Sequence, residues 1–344
     1  MKKYLLSTAA LLLGLLAYSQ EADDLGNHAE ITIIPRLDLG INAVKGSPDE
    51  SGFNLGNSSL YTLFEGSASE HFSWTLANHW FQGEHFLGSN ADPFALFKGL
   101  GHSDTTNWID FMKVDLTFGS WTFTLGKDSM STGGFEYEPW DWDVHPVTAS
   151  PLWNDLSPYQ WGAKVAWTTP SELTTLSLQM TTSPFGERPF GSGLWTGSFQ
   201  WRGEYDWYAP IWSVSLIGTA PRQNAWLVSL GNQFLLGDWT LTLDWSNTSG
   251  INEDYNGFLH GCNFHGVVEY APSERFDLSV RGNYAINYDH DLAPNWFKAG
   301  AVFQFYPLRE SQDLRVHALA QYNSLMQGLE ATIGITYNFR IKLW

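Results

Sequence analysis

Between Ser129 and Tyr159 the chain places Glu136, Glu138, Asp141, Asp143 and Asp155 in a stretch that holds no Lys or Arg. Carboxylates this dense, with no counter-charge beside them, can attract cations or accept hydrogen bonds from hydroxylated solutes. Tyr137, Trp140, Trp142 and Trp153 stand among them. Such rings can stack on a sugar, and they can equally pin the segment to a wall, which is the simpler reading. Asp141 and Asp143 flank Trp142 without the spacing of a calcium loop, so neither a metal site nor a cofactor is expected. Hydrolytic chemistry would need a nucleophile and a base. Serines and His79, His145, His260, His265 and His317 are available, but no Gly-x-Ser-x-Gly elbow and no His-Glu-x-x-His run occurs, so no enzyme is expected.

What holds that acidic segment is a succession of runs with a period of two. Ile31, Ile33, Leu37, Leu39, Ile41 and Ala43 alternate with Thr32, Arg36, Asp38, Gly40 and Asn42. Trp121, Phe123 and Leu125 alternate with Thr122, Thr124 and Gly126, and Trp239, Leu241, Leu243 and Trp245 with Thr240, Thr242, Asp244 and Ser246. Each run has one apolar and one wet face. Sixteen strands are predicted, near 28–43, 58–69, 72–82, 108–118, 121–128, 159–168, 173–182, 194–206, 211–219, 225–236, 239–247, 262–270, 276–288, 296–305, 314–322 and 328–344. The runs near 58–69 and 262–270 alternate poorly, and Pro35 predicts a bulge or an edge-like break in the first.

Short connections such as Glu70-His71, Gly119-Ser120 and Gly237-Asp238 take turns with long ones over 44–57, 82–107, 129–159, 183–193 and 247–260. Short turns at one end and long loops at the other are the pattern of a transmembrane antiparallel β-barrel. A soluble sandwich or a propeller would also give many short strands, but a sandwich could hardly pack Trp at successive inward positions. The aromatic content of 16% beside a mean hydropathy of only -0.21 fits a barrel too, because apolar residues then occupy alternate positions and aromatic girdles sit at both interfaces.

Met1–Gln20 reads as a secretory signal, with Lys2 and Lys3 ahead of an apolar run over Leu5–Leu16, and cleavage is expected after Ser19. The apolar run is too short to span a bilayer, which takes ~20 residues. The expected organisation is a signal peptide over 1–19 and one barrel over 20–344, with no separate plug. Without Lys2 and Lys3 the mature chain has 16 basic and 36 acidic side chains, a formal charge of -20 that argues against nucleic acid as a partner. Cys262 is the single cysteine, so no internal disulfide holds the fold. The final alternation of Ile335, Tyr337, Phe339, Ile341 and Leu343 runs up to Trp344, with Leu343 and not the aromatic on the apolar face.

Sixteen strands enclose an aqueous lumen, so a passage for small polar solutes or ions through outer-membrane lipid is expected. An adhesin, a structural barrel, or a barrel carrying a hydrolase is the alternative. The long third outer loop is expected to fold into the lumen, since a featureless stretch of that length is uncommon. It would form a constriction from Asp128, Glu136, Glu138, Asp141, Asp143 and Asp155. Parity puts Arg36, Lys113, Lys164, Arg202, Arg281 and Arg315 on the wet face, among Asp38, Glu65, Asp115, Glu204, Asp244, Glu269 and Asp277. Facing the acidic loop, the basic residues would set up a transverse field, and the channel would lean toward cations.

Leu125-Gly126-Lys127-Asp128 followed by Gly133-Gly134-Phe135-Glu136-Tyr137 resembles a segment of the phosphate-selective porins and related Gram-negative outer-membrane porins. Ser59-Leu60-Tyr61-Thr62, leading through Glu65-Gly66 to Ser69-Glu70, extends the resemblance over about the first half of the mature chain. The resemblance implies a 16-stranded, often trimeric channel whose third loop dips into the pore. The chain departs from the pattern in its scarcity of Arg and Lys, the residues on which anion selectivity in that family depends.

Overall fold

A computed structural model of the chain describes residues 27–46, 51–55, 58–82, 109–138, 158–186, 190–247, 261–289 and 293–344. Its strands are β1 (His28–Val44), β2 (Gly52–Asn54), β3 (Ser59–Ser69), β4 (Phe72–Gln82), β5 (Ile109–Phe118) and β6 (Trp121–Ser129). There follow β7 (Tyr159–Thr168), β8 (Thr174–Thr182), β9 (Trp195–Gly203), β10 (Tyr208–Ala220), β11 (Gln223–Leu236) and β12 (Trp239–Asn247). The last third holds β13 (Cys262–Ser273), β14 (Phe276–Asp289), β15 (Ala293–Phe305), β16 (Leu314–Asn323), β17 (Gly328–Tyr337) and β18 (Phe339–Lys342). Strand β2 is a three-residue strand within the first outer connection, and β18 continues β17 past Asn338. The barrel proper therefore has sixteen staves.

Every successive pair of staves is antiparallel, and β1 closes the ring by pairing with β3 on one side and with β17 and β18 on the other. Leu343 N–H also donates to the Ala29 carbonyl at 2.8 Å. Closure leaves no exposed edge, which a strand in hydrocarbon could not tolerate because its N–H and C=O groups would go unpaired.

All sixteen runs read from the sequence are strands, with ends moved by a few residues. The run at 194–206 stops at Gly203, and the next starts at Tyr208, where Tyr205 and Tyr208 exchange backbone hydrogen bonds across the turn. The poorly alternating run near 58–69 has a register shift at Leu60/Tyr61, which breaks its period, whereas the run near 262–270 pairs with β14 without a shift through Tyr270 and reads poorly because the apolar Val267 is buried on the inner face beside the outward Val268. Pro35 does not interrupt β1. The break falls on the partner instead: β1 pairs with β18 through Ile33 and with β17 from Arg36, so the missing donor of Pro35 sits beside the gap at Asn338. The alternation of short and long connections holds less well in the second half. Pro221-Arg222 joins β10 to β11 as tightly as any inner turn, with Arg222 at φ 67°.

The two faces are inverted relative to a soluble protein. On β1, Leu37, Leu39 and Ile41 are exposed, Leu39 to 63%, while Asp38 between them is 0% exposed. On β8, Leu178 and Met180 are exposed, whereas Ser177, Gln179 and Thr181 are buried. Trp80, Trp121, Trp195, Trp207, Trp226 and Trp239 also face outward, which reconciles the high aromatic content with low hydropathy. Replacing Leu178 with Arg is expected to destabilise the barrel in vesicles by ~2–4 kcal/mol if the residue lies near the bilayer midplane. Urea unfolding of the vesicle-inserted protein measures this, and an unchanged midpoint would show that this face does not meet lipid.

Candidate functional site

The inner wall carries the polar residues, and three groups of contacts organise it. The first lies at the seam where the ring closes. Arg36 donates through Nε and Nη2 to the Asp38 carboxylate, the shortest contact being 2.7 Å, and His317 Nε2 lies 2.9 Å from the other Asp38 oxygen. Ser58 Oγ accepts the Asp38 backbone N–H at 2.9 Å. Gly334, on the stave between Asp38 and His317, leaves room for them: a Cβ there would fall 2.1 Å from Asp38 Oδ1 and 2.3 Å from His317 Nε2.

The second group is on β5, β6 and β7. Asp128 accepts from Lys113 at 3.0 Å and from Lys164 at 2.6 Å, one lysine per carboxylate oxygen. The two lysines come from the staves flanking β6, and Gly126 and Gly162 between them carry no side chain. Asp115, one step along β5, accepts from Thr124. Nearby, the buried Lys127 donates to the Ile109 carbonyl, and His79 Nδ1 lies 2.9 Å from Asp110.

The third group joins the start of the long third connection to the wall of β8 to β12. Ser131 N–H donates to Gln179 Oε1 at 2.7 Å, and Gln179 Nε2 donates back to the Ser129 carbonyl at 2.8 Å. Gly133 and Gly134 lead into a single 3₁₀ turn over Phe135–Tyr137. There Glu136 N–H donates to Asp244 Oδ2 at 2.7 Å, a contact between residues 108 apart in the chain. The approach depends on glycine at two places. A Cβ on Gly134 would lie 2.9 Å from the Asp244 carboxylate, and one on Gly231 would lie 3.0 Å from the Gly134 Cα. Tyr137 and Phe185 pack on the buried pair Ile217 and Leu227, and Arg202 pairs with Glu138. Between this segment and β7–β9 lies a cavity of about 210 Å³.

Of the residues singled out from sequence, Asp128 is buried and shared by two ammonium groups, Glu138 is paired with Arg202, and the backbone of Glu136 is bound to Asp244. Lys113, Lys164 and Arg202 cluster about the loop segment, whereas Arg36 is in the seam, and Arg281 and Arg315 are half-buried on β14 and β16. Tyr137 lines the cavity. Asp141, Asp143, Asp155, Trp140, Trp142 and Trp153 lie outside the described residues, as does the expected signal peptide. His79, His265 and His317 each face a carboxylate, and His145 and His260 are outside the described residues. In the sequence Asp244 stands among the wall acids with no mark of its loop partner. The Gly133-Gly134 pair is the signal that backbone can come close to another element there.

No family model and no curated protein matches the chain. Solved structures do share its fold. A triple mutant of the porin from Rhodopseudomonas blastica superposes with a TM-score of 0.58 at 12% identity, covering 90% of this chain and all of that one. The outer membrane channel DcaP of Acinetobacter baumannii gives 0.59 at 10% identity, over 91% of this chain and 98% of that one. A loop-deletion mutant of OmpT, an outer membrane protein of Vibrio cholerae, gives 0.54 at 9% identity over 91% of this chain. The chain's closed, sixteen-stave barrel thus shares its fold with these outer-membrane proteins.

Proposed function

We infer that the chain is an outer-membrane porin, a passive channel for small polar solutes and ions that leans toward cations. In this reading the signal over 1–19 is removed, the barrel sits in outer-membrane lipid as a homotrimer, and it does no covalent chemistry. The observation that carries the reading is the bond from Glu136 N–H to Asp244. It ties the third outer loop to the polar face of β12, which supports a loop lying across the lumen and narrowing it. The kinship to phosphate-selective porins then extends to architecture and not to selectivity.

The charges favour that division. Asp128 and Glu138 are compensated by Lys113, Lys164 and Arg202, so the acidic excess of the loop falls to Glu136, Asp141, Asp143 and Asp155. Arg36, Arg281 and Arg315 belong to β1, β14 and β16 and have carboxylates of their own beside them: Asp38 pairs with Arg36, Glu269 and Asp277 lie by Arg281, and Asp277 lies by Arg315. The acidic excess left on the loop then admits cations and dipolar solutes more readily than phosphate.

Planar-bilayer recording of the purified protein tests this. Stepwise openings and a reversal potential shifted toward the cation are expected. Glu136→Gln combined with Asp141→Asn and Asp143→Asn should lower the cation preference roughly twofold or more. A reversal potential that does not move would remove the loop from the pore, and a silent bilayer would sink the channel reading in favour of an adhesin or structural barrel.

A further inference from the structure

We propose that the cavity between the third outer loop and the β7–β9 wall is a binding station for an uncharged, polyhydroxylated solute of monosaccharide size. The proposal rests on the loop placement above and deepens it by naming a solute class. The cavity is lined by Ser131 and Tyr137 of the loop and by Ser177 and Gln200 of the wall, together with Lys164 and the Arg202–Glu138 pair. Its volume of about 210 Å³ holds several waters, each of which takes ~30 Å³ in the liquid.

Charge selects the class. Lys164 is already held by Asp128 at 2.6 Å, and Arg202 by Glu138. An ionic solute would have to displace one partner of such a pair and leave the other without its counter-charge. A hydroxyl does not, because it accepts from the cation and donates to the carboxylate at once. The surrounding charges also give an ion nothing to gain. Lys113 and Lys164 share Asp128, Arg202 pairs with Glu138, and Asp115, held by Thr124, with Glu136 and Asp244 adds negative charge that disfavours an anion. A cation meets Lys164 and Arg202 at the lining itself. The remaining lining is hydroxyl and amide, which both donate and accept, and Tyr137 with Met130 offers apolar surface to the C–H face of a sugar ring.

The test uses the full-length barrel in a planar bilayer with glucose as the probe, and acetate and phosphate as charged comparisons. Glucose is expected to reduce the ionic current in a saturable manner, at a lower concentration than either anion. Gln200→Leu should raise the half-blocking glucose concentration about tenfold, the loss of roughly one hydrogen bond. Asn283→Ala, on β14 and away from the cavity, should leave the block as it is. An open channel that glucose does not block, or that acetate or phosphate blocks first, overturns the station and leaves the channel standing. A silent bilayer overturns the channel, and calorimetric titration of the detergent-solubilised protein with glucose then decides the station: saturable heat supports it and its absence overturns it.

Discussion

Asp244→Ala is expected to raise the mean single-channel conductance and to add open-channel noise, because it removes the acceptor of the Glu136 N–H. A hydrogen bond to a buried carboxylate is worth ~1.5–3 kcal/mol. Losing it should increase the fraction of time the loop spends off the wall by about 10- to 100-fold. Asp244→Asn keeps an oxygen acceptor and should fall between the two. His265 Nδ1 lies 3.7 Å from the same carboxylate, and Gly134 packs directly against it, so the substitution touches the loop's anchor and not the staves' ladder. Conductance and noise unchanged from the native protein would mean that the loop is held elsewhere, or does not narrow the pore.

The largest effect on stability is expected at the seam. Asp38 is the shared acceptor of Arg36 and His317, and all three are buried. Asp38→Ala takes from the buried Arg36 its carboxylate partner, and removing one partner of a buried pair typically costs ~3–5 kcal/mol. The loss should appear as a lower guanidinium midpoint for the vesicle-inserted barrel and as a smaller folded fraction on refolding. A triple variant, Arg36→Met, Asp38→Leu and His317→Leu, should recover much of it, because an apolar set of similar volume has no charge to desolvate. Full stability in Asp38→Ala would show that water reaches Arg36 and that the cluster is a solvated part of the lumen.

Much of the barrel was legible because lipid imposes a strict rule on the chain. Every second residue of a stave must be apolar, so Trp121, Phe123 and Leu125, or Leu37, Leu39 and Ile41, announce both a strand and its outer face. The rule weakens where a stave shifts register, as at Tyr61, and in the seam, where the consequence of Pro35 surfaces three hundred residues away at Asn338. The site was legible in part. Acidic residues could be counted along the loop, but charge counting does not show compensation. Asp128 looks like a constriction carboxylate until the register brings Lys113 and Lys164 to either side of it. Asp244 and Gln179 were hidden for a different cause: a loop meets a wall through backbone N–H groups, which every residue has and no residue type reveals.

The ladder between β1 and β17 joins Arg36 to Thr336, residues 300 positions apart. In a bilayer a half-built ring has no resting place, since both of its free edges would present unpaired amides to hydrocarbon. Assembly must therefore await nearly the whole chain, and the final zipping event is also the one that brings the carboxylate of β1 to the imidazole of β16. Defects at this seam should consequently be felt less as looseness in finished barrels than as a slower and scarcer yield of them, with unfinished chains left open to proteolysis.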